Sequence, residues 1–131
     1  MPKNIKGIII RKEWLELILS GKKTWEMRSS KTKHRGLVFL IEAGTGQVKG
    51  YCFIQDCIDI NVIKISCSFK FQKHQVTDYS LLQKWHYAWV IDKVKSLPKP
   101  INYTHKKGCV VWVDLSDNIE LKQQMTLLNI S

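Results

Sequence analysis

The chain has 131 residues, 44% hydrophobic and 24% charged, which suits one globular domain with its own core and excludes both an intrinsically disordered chain and a fibre. Twenty-one Lys and Arg against eleven Asp and Glu leave a net charge of +10, a field that attracts polyanions, with nucleic acid the natural partner. No run of about 18 apolar residues is present and the start MPKNIKGIII lacks a signal-peptide pattern, so a cytoplasmic protein with no membrane partner is expected.

The first predicted element is a strand in the β-branched run of residues 5–10, IKGIII. From Arg11 the period becomes helical, with Trp14, Leu15, Ile18 and Leu19 on one face and Arg11, Lys12, Glu13 and Glu16 on the other. Gly21 is placed to end that helix in the left-handed conformation. The stretch that follows, Gly21 to Arg28 (GKKTWEMR), is the densest concentration of charge and aromatic surface in the chain. Read as a strand, it sends Thr24, Glu26 and Arg28 to one face and Trp25 and Met27 to the other.

A polar loop with Ser29, Lys31, Lys33, His34 and Arg35 leads to Gly36 and the buried-strand run LVFLI. The small-residue turn Glu42-Ala43-Gly44-Thr45-Gly46 makes a hairpin, pairing residues 36–42 with 47–55 of a long strand over 47–60, and its backbone amides are candidates to face an anion. Residues 61–76 carry no clear period. A helix is expected from an N-cap at Thr77, with Asp78 in its first turn and Leu81, Leu82 and Trp85 on its apolar face. A strand over HYAWVIDKV places Tyr87, Trp89 and Ile91 on one side, and Pro98 and Pro100 then impose an extended connection. Thr104 to Gly108, with His105, Lys106 and Lys107, is a basic turn before the last strand, CVVWVDL, and Leu121, Met125 and Leu128 mark a helical tail over 117–131. The sum is an α+β fold: a small, mostly antiparallel β-barrel-like sheet with two to three short helices, in one domain whose core spans about residues 5–115.

No metal site and no cofactor is expected. Cys52, Cys57, Cys67 and Cys109 show no C-x-x-C spacing, Cys52 and Cys57 fall on opposite faces of a strand, and the four histidines are scattered.

GKKTWEMR matches the G-x-K-x-x-E-x-R signature of the ASCH domain family. With the later His-Arg-Gly, the G-T-G turn, Y-A-W-V and the basic turn before V-V-W-V, the chain resembles the bacterial stand-alone form over roughly residues 5–115. The resemblance implies a PUA-like fold and binding of RNA or other nucleic acid. One branch of the family hydrolyses the amide of 4-acetylcytidine with a lysine, a threonine and a glutamate. Its lysine falls on Lys23, but its threonine position is occupied here by Glu26; Asp78 is the candidate counterpart of its glutamate.

Two readings therefore stand. In the first, a basic cleft on the motif binds single-stranded RNA or a modified nucleotide, with Lys23, Glu26, Arg28, Ser29, Lys33, Arg35, Thr45, His105 and Lys106 as polar contacts, Glu26 accepting from a base edge, and Trp25, Tyr87 and Trp89 as stacking platforms. In the second, Lys23 and Glu26 are the proton-handling pair of a hydrolase acting on an acylated nucleoside, or of a ribonuclease. Each residue also has a structural reading: Lys23 neutralising a helix end, Glu26 in a salt bridge to Arg28 or Lys23, and the tryptophans in the core, Trp14, Trp85 and Trp112 above all. A monomer is favoured.

Overall fold

The run Leu37–Ile41 has no polar residue to turn toward water, and the sheet resolves this by burying it on both faces: Phe39 and Ile41 enter one core cluster, Val38 and Leu40 another. It lies within β3 (Gly36–Glu42) of a computed structural model that describes residues 4–63 and 71–130. Among the described residues the other strands are β1 (Lys6–Ile10), β2 (Trp25–Arg28), β4 (Gln47–Asp59), β5 (Tyr87–Asn102) and β6 (Trp112–Asp114), in the sheet order β2-β5-β4-β3-β1-β6. One described pairing, β1 with β3, is parallel and four are antiparallel, giving the mostly antiparallel barrel-like sheet expected, here a half-barrel. The hairpin is as the sequence predicts, with Gly36 opposite Ile54 and Glu42 opposite Gln47.

Among the described residues four helices accompany the sheet: α1 (Lys12–Leu19), α2 (Ile60–Ile63), α3 (Phe71–His74) and α4 (Ile119–Leu127). α1 lays Leu15 and Ile18 on Ile8, Ile10, Val38, Leu40, Ile54 and Trp89. On the other face of the sheet α4, capped by the Asn118 side chain on the Leu121 amide, buries Leu121 and Met125 against Phe39, Ile41, Val48 and Ile101. The tail thus packs on its own domain. Leu128, expected on the buried stripe, is 38% exposed, and Ile130 takes its place because Asn129 turns back with φ +55°.

Three other expectations need correction. The helix expected from Thr77 is only a 3₁₀ turn over Tyr79–Gln83, and its cap is Asp78, whose carboxylate accepts from the Ser80 amide and hydroxyl. Residues 61–76, for which no element was expected, contain α3 and part of α2, while residues 64–70, including Cys67, lie outside the described residues. Pro98 and Pro100 do not end β5, which runs through them. Both fall in the register shift between the Gly50–Ser96 and Val48–Ile101 pairs, where no residue of β4 is matched to them and no ladder bond needs their missing amides. No described helix is long and apolar enough to cross a membrane.

Candidate functional site

The signature stretch forms the floor of a cleft. α1 stops where expected: Gly21 has φ +85°, its amide donates to the Ile18 carbonyl, and the Lys23 amide donates to that of Leu17. The Thr24 amide then donates to Lys73 of α3 and its carbonyl accepts from Ile91 of β5, which fixes the entry into β2. These anchors put Lys23, Glu26, Met27 and Arg28 on a cleft of about 640 Å³. Its walls include Trp14 and Trp85, and its rim includes Gly44, Gly46, Tyr103 and His105.

The floor is a buried chain of charges. Lys23 is 1% exposed, donates from Nζ to the His74 carbonyl, lies 3.9 Å from Glu26 Oε1 and stands 4.8 Å from the centroid of the Trp14 ring. Burial lowers its pKa from 10.5 to about 8, partly countered by the Glu26 charge and assisted by that of Arg28. Glu26, 5% exposed, accepts at Oε2 from Arg28 Nε at 2.8 Å, and Arg28 Nη2 donates to the Ile9 carbonyl at 2.8 Å. The guanidinium is thereby pinned between β2 and β1. Both cations expected to pair with Glu26 do so, which makes the ion-pair role of the carboxylate real and at the same time places it on the cleft.

The remaining sequence candidates divide. His105 lines the cleft, its Nδ1 3.0 Å from the Tyr103 hydroxyl. Thr45 shapes the turn, donating to the Glu42 carbonyl and accepting from the Gln47 amide, while the neighbouring Gly44 and Gly46, at φ +79° and +66°, line the cleft. Ser29, Lys33 and Lys106 are exposed and contribute nothing to the cleft wall. Arg35 borders a separate hollow of about 220 Å³ with His34, Leu37 and Phe39.

The stacking platforms are a correction. Trp89 is 1% exposed with its indole N–H donating to the Ser30 carbonyl, Trp25 is 5% exposed and packs with Met27 and Leu82, and Tyr87 is half-buried against His86. None of the three lines the cleft. β2 and β5 are paired in register, Glu26 opposite Trp89, and α1 covers the Trp89 face, so these rings are consumed by packing. The cleft aromatics are instead Trp14 and Trp85, read from sequence as core, which meet edge to face at 6.4 Å. A signal for Trp14 was present: on α1 it flanks the buried Leu15–Ile18 stripe. Tyr103 and Arg11 were missed; Tyr103 is two residues from His105 and could have been read with it. Among the described residues no three His, Cys, Asp or Glu side chains gather as a metal site.

A half-barrel carrying a buried Lys-Glu-Arg floor between a helix C-terminus and a short edge strand defines a PUA-like class of domain. Within it, residues 8–115 match the ASCH domain model, and the chain belongs to the ASCH domain family. The fold is that of the ASCH protein of Zymomonas mobilis, with a TM-score of 0.68 at 16% identity over 97% of this chain and 96% of that one. Two single-substitution variants of that protein match as well, one with a TM-score of 0.68 over 96% of both chains and one with 0.67 over 97% of this chain and 99% of that one, each at 16% identity. No curated protein matches the chain.

Proposed function

We propose that this ASCH domain binds nucleic acid by taking one base of single-stranded RNA, or a modified nucleotide, into the cleft. The observation that carries the reading is the pairing of a wall of Trp14 and Trp85 with a buried polar floor of Lys23, Glu26 and Arg28 in one cavity of about 640 Å³, the size and chemistry of a small-molecule site. The aromatic wall supplies surface on which a base packs. Glu26 Oε1, not occupied by Arg28, accepts from an amino group on the base edge, and Lys23 and Arg28 favour the phosphate. The net charge of +10 assists encounter.

A fluorescence titration with short single-stranded RNA and with nucleosides, read from tryptophan emission, tests this. Saturable binding that weakens with Lys23→Ala and with Trp14→Leu is expected. Absence of binding at low salt, or binding indifferent to both substitutions, removes the reading.

One observation favours catalysis as a second reading. A buried lysine with its pKa lowered to about 8 beside a carboxylate at 3.9 Å is the pattern of a proton-transfer pair. Against it, Glu26 stands where the hydrolytic branch implied by the resemblance keeps its threonine, so attack on an acyl nucleoside falls to water. Incubation with 4-acetylcytidine and with labelled RNA decides: cytidine or shortened strands support an enzyme, and neither product leaves the binding module.

A further inference from the structure

On the sheet face that carries α4, the helix covers one end of the described strands. There Phe39 packs with Leu121 and Met125. Toward the other end the register sets Leu37 of β3 opposite Phe53 of β4, and Tyr51 opposite Lys95 of β5, so that these four side chains share one face. Phe53 is half-buried and, unlike Leu37 and Tyr51, packs against none of the described core clusters. Its ring instead carries the Lys93 ammonium at 5.5 Å from the centroid.

Lys93 reaches that position through an irregularity. The β4–β5 register shifts between Tyr51 and Phe53, and Lys93 has φ +50°, a conformation that is costly for a side chain with a Cβ. The result is a ledge of two aromatic rings edged by Lys93 and Lys95. The register sets Asp92 opposite Phe53, where it accepts from Gln55 Nε2 and keeps its charge, so the excess of positive charge on the ledge comes from Lys93 and Lys95 together. The ledge shares no residue with the cleft.

From this geometry we infer a second nucleic-acid surface, on which Phe53 and Tyr51 stack bases of a single strand and Lys93 and Lys95 hold its phosphates. Residues 51 and 53 are two apart on one strand, so their rings stand about 7 Å apart along it, spacing that lets successive extended nucleotides use one ring each. Sheets that present aromatics flanked by cations bind single strands in this way. The surface adds a second contact for a longer segment of the strand, and the inference rests on the reading of the ligand as RNA.

The test separates the two. Binding of uridine monophosphate and of a 12-nucleotide oligouridine is measured for the wild type, for Phe53→Leu, and for the double variant Lys93→Gln with Lys95→Gln, each checked for an unchanged thermal transition. Phe53→Leu keeps apolar bulk and removes the π face. The expected result is oligonucleotide affinity lowered by on the order of tenfold in each variant, a shallower salt dependence in the lysine variant, and unchanged mononucleotide affinity. Equal affinity of the wild type for the two ligands, or oligonucleotide affinity indifferent to all three substitutions, overturns the second surface and leaves the cleft reading intact. Mononucleotide that fails to bind while oligonucleotide binding depends on Phe53 overturns the cleft and keeps the ledge.

Discussion

The Lys23 ammonium and the Glu26 carboxylate face each other at 3.9 Å with almost no exposure, too far apart for a direct hydrogen bond and too close to be independent. The gap is kept by prior commitments: Lys23 donates to the His74 carbonyl, and Glu26 Oε2 is held by Arg28. A buried ion pair with this geometry is weak evidence of stabilisation, since desolvation of both charges opposes their attraction. Its presence on a cleft wall is better explained by what it offers a ligand.

The first prediction concerns pH. The unfolded chain keeps the Lys23 proton up to about pH 10.5, whereas the folded chain releases it near pH 8. Stability therefore rises with pH between those values, and the cost of burying the charge is fully present below pH 8. The shift corresponds to about 3 kcal/mol. Chemical denaturation of the wild type and of Lys23→Met at pH 7 and pH 9.5 checks this: the substitution gains more at pH 7. Equal gains at the two pH values count against a lowered Lys23 pKa.

Glu26→Gln keeps the shape of the side chain and removes the charge that supports both neighbours. Arg28 retains a neutral acceptor, and Lys23 loses the interaction that raises its pKa, which must then fall further below its ordinary value. A loss of about 3 kcal/mol in unfolding free energy is expected, the lower end for breaking a buried pair by removing one partner. Urea denaturation at pH 7 measures it. The same measurement at pH 9.5 should show a smaller loss, because a neutral Lys23 no longer misses its counter-charge.

Gly50 is a structural prediction free of electrostatics. A Cβ there would lie 2.5 Å from the Lys95 carbonyl oxygen and 2.8 Å from a Leu19 methyl, so backbone would have to move. At Gly7 the nearest atoms, at 2.7 and 2.9 Å, are the far ends of the Ile41 and Leu115 side chains. Gly50→Ala should therefore cost more than Gly7→Ala, which falls in the range of about 1–3 kcal/mol for overpacking. Thermal transitions of the two variants rank them, and the reverse order would show that β5 yields more readily than the Ile41 and Leu115 side chains.

These glycines also mark what was legible in the sequence. The strand runs, the helix from residue 12 and its stop at Gly21 follow from local periodicity and turn chemistry, which is why the fold could be read before the structure. Gly50 lies inside a strand pattern, and its close approach to β5 depends on a pairing 45 residues away. The same limit governs the site. Lys23, Glu26 and Arg28 were found because a single eight-residue stretch holds them. Trp14 and Trp85 come from an earlier helix and a later loop, and only the packing of α1 against the sheet decides that they face the cleft while Trp89 faces the core. Burial of β2 and of the start of β5 on both faces left Trp25, Tyr87 and Trp89 with an alternation that looked one-sided and was not.

The tryptophans accordingly separate binding from stability, which makes them the sharpest test of the cleft. Trp89→Ala removes a ring that is 1% exposed and hydrogen-bonded to Ser30, and should cost about 3–5 kcal/mol of unfolding free energy. Trp14→Leu trims a half-buried cleft wall whose ring meets Trp85 edge to face and carries Lys23. Its stability cost should be well below that of Trp89→Ala, while affinity for a nucleoside drops by about 1–3 kcal/mol, the worth of one aromatic base contact. Paired denaturation and titration of both variants read the two effects. If Trp14→Leu proves as destabilising as Trp89→Ala and nucleoside affinity is unchanged in the folded fraction, Trp14 is a core residue and the base has no platform in this cleft.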